Sequence, residues 1–107
     1  MKIGTFSTFM SPICSAEMIG NFARDAENVG LDSLWMGEHV VLFDKTEILY
    51  PGSKDGKLPV PEGGGMLDTV ATIGYLAACS KTLRFGTGIT LLPQRNPLYT
   101  AKEFATL

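Results

Sequence analysis

The chain has 107 residues, of which 45% are hydrophobic and 19% charged, and its formal net charge at pH 7 is -2. This composition is typical of a globular domain and excludes a disordered chain. Lys and Arg are scattered, so nucleic acid is not expected as a partner, and no segment has the roughly 20 apolar residues that span a membrane. Cys14 and Cys79 form no CxxC pair, and we expect reduced thiols in a cytoplasmic protein.

The N-terminal third of the sequence predicts a strand, a helix and a second strand. Residues 2–7 (KIGTFS) are β-prone, and apolar residues then recur at helical spacing. Ser15 is suited to cap this helix and Gly30 to end it. The next apolar run, 34–37, does not alternate with polar residues, which favours a strand covered on both faces.

Between residues 41 and 66 the hydrophobic periodicity disappears. Eight of the fifteen residues from Pro51 to Gly65 are Gly or Pro. A loop of this length inside a compact domain is usually functional, so 41–66 is predicted to be a long active-site loop. A disordered insertion is the alternative.

The remaining sequence predicts two helices around a third strand. Asp68 or Thr69 is suited to cap a largely buried helix, and the run 83–92 (LRFGTGITLL) predicts a strand. Asn96 followed by a proline predicts the start of a third helix. Its core-facing stripe is predicted to comprise Leu98, Ala101, Phe104 and Ala105.

Strands that alternate with helices indicate one α/β domain, residues 1–107, with a parallel sheet. An open doubly wound sheet and the opening of a (β/α)₈ barrel both satisfy this order. A complete barrel needs about 250 residues, so three units are less than half of one.

Functional residues of parallel α/β folds lie at the C-terminal ends of the strands. Two glycines flank Thr87, and glycine in a strand often marks a bulge or the close approach of a ligand, although tight packing explains it equally well. Glu38 and His39 form either part of a pocket or a structural pair that holds the long loop. As strand neighbours they point to opposite faces, so no metal site is predicted. The candidate residues at the strand ends are Phe6, Glu38, His39, Thr87, Gly88 and Ile89.

The segments 34–39 (LWMGEH) and 83–107 (LRFGTGITLLPQRNPLYTAKEFATL) resemble the N-terminal part of the bacterial luciferase-like monooxygenase superfamily. The resemblance covers essentially the whole chain. It implies the first three β/α units of an incomplete (β/α)₈ TIM barrel. It also implies hydride transfer between a reduced cofactor and a small organic substrate. The LPQRNP wording is most similar to the branch that uses coenzyme F420, with FMN as the alternative cofactor.

The resemblance also implies roles for individual residues. His39 matches a pocket histidine that contacts cofactor or substrate and relays a proton, and Glu38 matches the acidic position before it. Gly88 and Ile89 match a bulge behind the cofactor ring that relatives form with a non-prolyl cis peptide, with Thr87 beside it. Phe6 is expected to contact the same cofactor.

The sequence stops where relatives continue, so we expect a truncated or cloned piece of the enzyme. Such a piece is expected to be inactive alone and to form homo-oligomers through its open sheet. A non-catalytic α/β module that binds a ligand or assembles with itself is the second functional hypothesis.

Overall fold

The computed structural model describes residues 1–43, 47 and 49–107. Its strands and helices, in chain order, are β1 (Gly4–Phe6), β2 (Met10–Ser11), α1 (Ala16–Asn28), β3 (Ser33–Met36), β4 (Gly65–Met66), α2 (Thr69–Cys79), β5 (Arg84–Thr87) and α3 (Pro97–Thr106). The strands β1, β3 and β5 form a three-stranded sheet in that order, and both pairings are parallel. The predicted α/β class with a parallel sheet is therefore confirmed.

The three helices begin at predicted capping residues. In each case a side-chain oxygen accepts a hydrogen bond from a backbone N–H in the first turn, which satisfies one of the donors that a helix start leaves unpaired. These contacts are Ser15 with Met18 (3.1 Å), Asp68 with Ala71 (2.8 Å) and Asn96 with Leu98 (3.0 Å). Helix α1 is followed by Gly30 at a φ of 83°, a left-handed conformation that glycine adopts without strain.

One face of the parallel sheet is packed against α1 and α2. Leu34 is fully buried and Met36 is 4% exposed, in one cluster with apolar residues of both helices. Successive strand residues alternate between faces, so Phe6 and Trp35, which are partners in the β1–β3 register, lie on the other face. They are 56% and 45% exposed. The sequence predicted that the strand at 34–37, which corresponds to β3, is covered on both faces. This prediction is wrong for this structure, because the helices cover one face of the sheet only.

The third predicted strand is shorter than expected and the third helix is more exposed. Strand β5 ends at Thr87 rather than residue 92, because the chain bends at Gly88 and residues 92–94 form a 3₁₀ turn. In α3, Leu98 is 81% and Phe104 is 38% exposed. The predicted core-facing stripe of α3 is therefore not buried by the described residues.

The predicted loop 41–66 includes residues 44–46 and 48, which lie outside the described residues. Its C-terminal end contains β4, which pairs antiparallel with β2. The Leu67 N–H also donates to the Phe9 carbonyl oxygen at 2.9 Å. The sequence did not predict this small pairing, which ties the end of the loop to the connection between β1 and α1. Within the described ranges, no helix is both long and apolar enough to cross a membrane.

Candidate functional site

The carboxylate of Glu38 follows β3 and is buried, with the residue 5% exposed. Its Oε2 accepts from the Leu91 backbone N–H at 2.7 Å, and its Oε1 accepts from Arg95 Nε at 2.9 Å and from Arg95 Nη2. Hydrogen bonding from Arg95 holds the pKa of Glu38 below its usual value, although burial acts in the opposite direction. The same contact raises the pKa of Arg95. Both oxygens of the carboxylate are thus occupied by charged or backbone donors.

Arg95 also approaches two further carboxylates. Its Nη2 lies 3.5 Å from Oδ2 of Asp68, the residue that caps α2, and its Nη1 lies 3.6 Å from Oε2 of Glu103 on α3. The Arg95 side chain is 14% exposed. We call Glu38, Asp68, Arg95 and Glu103 the Arg95 cluster. It connects the segment after β3 to the start of α2 and to α3.

His39 is exposed, although it directly follows buried Glu38. The two residues therefore face different surroundings, although β3 ends at Met36 and they are not strand neighbours as predicted. The partners of the Glu38 carboxylate are Leu91 and Arg95, which belong to the segment after β5 and not to the long loop. The imidazole lies at the protein surface, three residues after the end of β3.

Phe6 lies against two glycines at the ends of neighbouring strands. A Cβ added to Gly88 would lie 2.9 Å from Phe6 Cε2, and one added to Gly37 would lie 3.3 Å from Phe6 Cζ. Side chains at either glycine would thus crowd the ring. Gly86 has the same relation to Trp35, whose ring atoms would lie 2.6 Å from its Cβ. We call the face of the sheet opposite α1 and α2 the open face. There the rings of Phe6 and Trp35 pack directly against the backbone of glycines.

The chain turns sharply after Thr87. The Gly88 N–H donates to the Met36 carbonyl oxygen at 2.7 Å, and Thr90 Oγ1 donates to Thr87 Oγ1 at 2.6 Å. The cis peptide that the resemblance implied between Gly88 and Ile89 is absent, since this bond is trans. A non-prolyl cis bond costs about 3 kcal/mol, and here the bend and these two hydrogen bonds direct the chain without one. Ile89 is 53% exposed beside the turn.

Arg95 is the residue of this site that sequence reasoning missed. A weak signal was available, because Arg95 is the only charged residue between Arg84 and Lys102. A lone charge in an otherwise apolar and neutral segment suggests a specific partner, although the sequence does not identify Glu38 as that partner. Among the described residues, no group of three or more His, Cys, Asp and Glu side chains is placed to hold a metal ion.

The sequence profile of the luciferase-like monooxygenase family matches residues 1–107. The chain belongs to this family. The resemblance noted in the segments 34–39 and 83–107 is therefore confirmed.

Two relatives show how much of a longer protein the chain covers. A luciferase-like monooxygenase of Escherichia coli K12 is 33% identical over 87 residues, which are 81% of this chain and 20% of that protein. An uncharacterized protein of Mycobacterium tuberculosis H37Rv is 29% identical over 85 residues, 79% of this chain and 30% of that protein. The chain thus spans 20% to 30% of the length of these curated relatives. No solved structure matches it significantly.

Proposed function

We propose that the chain forms the first three β/α units of a (β/α)₈ barrel oxidoreductase that uses a flavin or deazaflavin cofactor and a small organic substrate. One observation carries this proposal. Phe6 and Thr87 are the last residues of β1 and β5, and His39 and Ile89 lie just beyond the ends of β3 and β5. All four are therefore at the C-terminal end of adjacent parallel strands, the end at which barrel enzymes bind substrates. Membership of the luciferase-like monooxygenase family supports the same assignment.

The residues at the strand ends fit a flat cofactor ring. Phe6 presents an exposed aromatic ring, and Gly37 and Gly88 beside it add no side chain that would obstruct a planar ligand. Phe6 and the backbone at Gly88 and Ile89 would hold the ring, with the Thr87 hydroxyl as a polar contact. When bound, the cofactor supplies hydride transfer. We assign coenzyme F420 ahead of FMN because of the LPQRNP segment.

His39 is the residue to which we assign proton handling. Imidazole is the side chain best suited to accept and donate a proton near neutral pH, and this ring is exposed at a strand end. Glu38 was predicted to act beside it. Because both Glu38 oxygens are engaged with Leu91 and Arg95, we assign Glu38 the support of His39 rather than proton transfer.

Cofactor binding tests this proposal. F420 and FMN are titrated separately with the chain while the fluorescence of the cofactor is recorded. Phe6→Ala is expected to raise the Kd roughly 2- to 12-fold, since an aromatic contact is worth about 0.5–1.5 kcal/mol. Phe22→Ala is the matched control, because Phe22 lies on α1 and packs edge-on against Phe9. Absence of binding by both cofactors, or equal loss in the two variants, would contradict the proposal.

Substitution of His39 separates a catalytic role from a structural one. General acid–base catalysis is typically worth about 10²–10⁴-fold, so His39→Ala in the full-length protein is expected to lower turnover by that factor. The midpoint of thermal unfolding is expected to change little, because the imidazole is exposed. Equal losses of activity and stability would favour a structural histidine.

The alternative function, a non-catalytic module that assembles with itself, is favoured by the open sheet. Phe6 and Trp35 are exposed on that face, and β1 and β5 are the outer strands of the described sheet. Apolar faces and strand edges of this kind promote association. We therefore propose that the 107-residue chain forms oligomers. Sedimentation equilibrium at micromolar concentration tests this, and a compact, cooperatively unfolding monomer would contradict it.

A further inference from the structure

We propose that Arg95 is a positioning residue, which acts through the buried carboxylate of Glu38 to fix the two backbone segments that carry His39 and Ile89. This inference rests on the proposed function, because it takes His39 as the working group of the site. It adds a residue to which neither the family match nor the sequence motifs gave a role.

The first argument is the connectivity of the Glu38 carboxylate. One oxygen binds the Leu91 N–H, 53 residues away in sequence, and the other binds Arg95, 57 residues away. Glu38 immediately precedes His39, and Leu91 lies two residues after Ile89. A single buried carboxylate therefore joins the segments after β3 and β5, so the position of each depends on the other.

The second argument is the charge balance of the Arg95 cluster. Arg95 faces three carboxylates, those of Glu38, Asp68 and Glu103. Without the guanidinium, Glu38 would remain buried with the Leu91 N–H as its one remaining donor, and the other two carboxylates would lose the same cation. A carboxylate in that setting either takes up a proton or moves into water. Movement into water breaks the bond to Leu91 and displaces the adjacent His39.

The third argument is that Arg95 is itself unsuited to contact a ligand. Its side chain is 14% exposed, and both Nε and Nη2 donate to Glu38. Its planar guanidinium matches the two-point contact, and a lysine ammonium cannot reproduce that geometry. Its effect on the site therefore passes through Glu38.

Since His39 is the only histidine in the sequence, its imidazole is a direct probe of this arrangement. Untagged chain labelled with ¹³C-histidine gives one Cε1–H cross-peak in a proton–carbon NMR spectrum. In Arg95→Met the peak is expected to move beyond its line width or split, and in Arg95→Lys to move less. Arg84→Met is the matched control, because Arg84 binds Asp32 at the opposite end of β5. Its peak is expected to coincide with that of the wild type.

Two results would overturn the inference. One is an unchanged His39 peak in folded Arg95→Met, and the other is an equal displacement in Arg84→Met. If Arg95→Met fails to fold, Glu38→Gln is used in its place, since it removes the charged acceptor while keeping the size of the side chain. It is expected to displace the same peak.

Kinetics separates this inference from the proposed function. If the wild type turns over with F420 or FMN, Arg95→Met is expected to lower kcat on the order of 100-fold, as a displacement of about 1 Å can do, with a smaller change in KM. A wild type that binds neither cofactor would contradict the proposed function. The NMR result would still decide whether Arg95 positions His39.

Discussion

The two ends of the parallel sheet hold the same kind of ion pair in different surroundings. At the N-terminal end, the carboxylate of Asp32 binds Arg84, and its Oδ1 lies 3.4 Å from Lys2 Nζ. The Arg84 side chain is 63% exposed. At the C-terminal end, the side chains of Glu38 and Arg95 are 4% and 14% exposed. Exposed pairs contribute little to stability, whereas removing one member of a buried pair is costly. The end that carries the candidate site is therefore the more sensitive to the loss of a charge.

The carboxylate of Glu27 lies at the same N-terminal end of the sheet and contacts the segment before β5. Glu27 on α1 accepts from the Lys81 N–H at 2.9 Å, from the Thr82 N–H and from the Thr82 hydroxyl at 2.6 Å. These contacts hold the turn between α2 and β5 against α1. The Glu27 carboxylate thus stabilises a connection between α2 and β5 at the end of the sheet opposite the candidate site.

Loss of Arg95 is expected to have the largest effect on folding. Arg95→Met leaves buried Glu38 without its charged partner, which we expect to lower the free energy of unfolding by about 3 kcal/mol. Urea unfolding followed by circular dichroism measures this. A loss no larger than that of Arg84→Met would show that burial does not distinguish the two ends.

Acid is expected to have the next largest effect. Hydrogen bonds lower the pKa of Glu38 through Arg95, of Glu27 through Thr82 and of Asp32 through Arg84. The folded state thus releases protons more readily than the unfolded state, so these groups stabilise the fold fully above their usual pKa values of about 4. This contribution is lost as the pH falls through the lower folded values.

Two glutamine variants assign the acid-dependent loss to one end of the sheet. We expect the midpoint of urea unfolding to fall from pH 5 to pH 2 in the wild type, and Glu38→Gln to reduce this dependence more than Glu27→Gln. The physical reason is that the Glu38 carboxylate is buried and must be charged to keep Arg95. A greater reduction in Glu27→Gln would assign the pH dependence to the exposed end.

A helix cap at the C-terminal end is expected to contribute a smaller amount. Asn96→Ala removes the acceptor for the Leu98 and Tyr99 N–H groups and is expected to cost about 1 kcal/mol. Asn96→Asp keeps the acceptor and is expected to restore most of the loss. Asn28→Ala, at the other end of a helix, is the control. Equal urea midpoints for Asn96→Ala and the wild type would contradict the prediction.

The smallest effect is expected for Arg84→Met. Its partner Asp32 stays partly exposed and keeps Lys2 nearby, so water and a second cation replace the lost contact. We expect a urea midpoint that is unchanged within error at moderate salt concentration. A clear loss of stability would mean that the N-terminal end matters more than the exposure of its side chains indicates.

Sequence reasoning succeeded where the signal is local. The caps Ser15, Asp68 and Asn96 were predicted because a cap and its N–H partner lie within three residues. The third strand was predicted to be too long, because residues 88–92 have the composition of a strand. The actual end of the strand is set by a bend at Gly88, which the composition does not reveal.

The contacts that build the candidate site are not local, and most could not be predicted. The placement of Phe6 and His39 at the same end of the sheet follows from the rule that parallel strands share one functional end. The Glu38–Arg95 pair joins residues 57 positions apart, and no periodicity encodes such a contact. The exposure of Trp35 was missed for a related reason, because it depends on which elements cover the second face of the sheet.

Trp35 gives the protein an optical reporter of its open face. It is the only tryptophan in the sequence, it is 45% exposed, and its Nε1–H donates to Ser33 Oγ at 3.0 Å. Its emission is therefore expected to shift to shorter wavelength whenever further strands, a second copy or a ligand exclude water from that face. Gly86→Ala would place a methyl group 2.6 Å from the indole ring and push it off the sheet. That variant is expected to change the emission spectrum with no partner present.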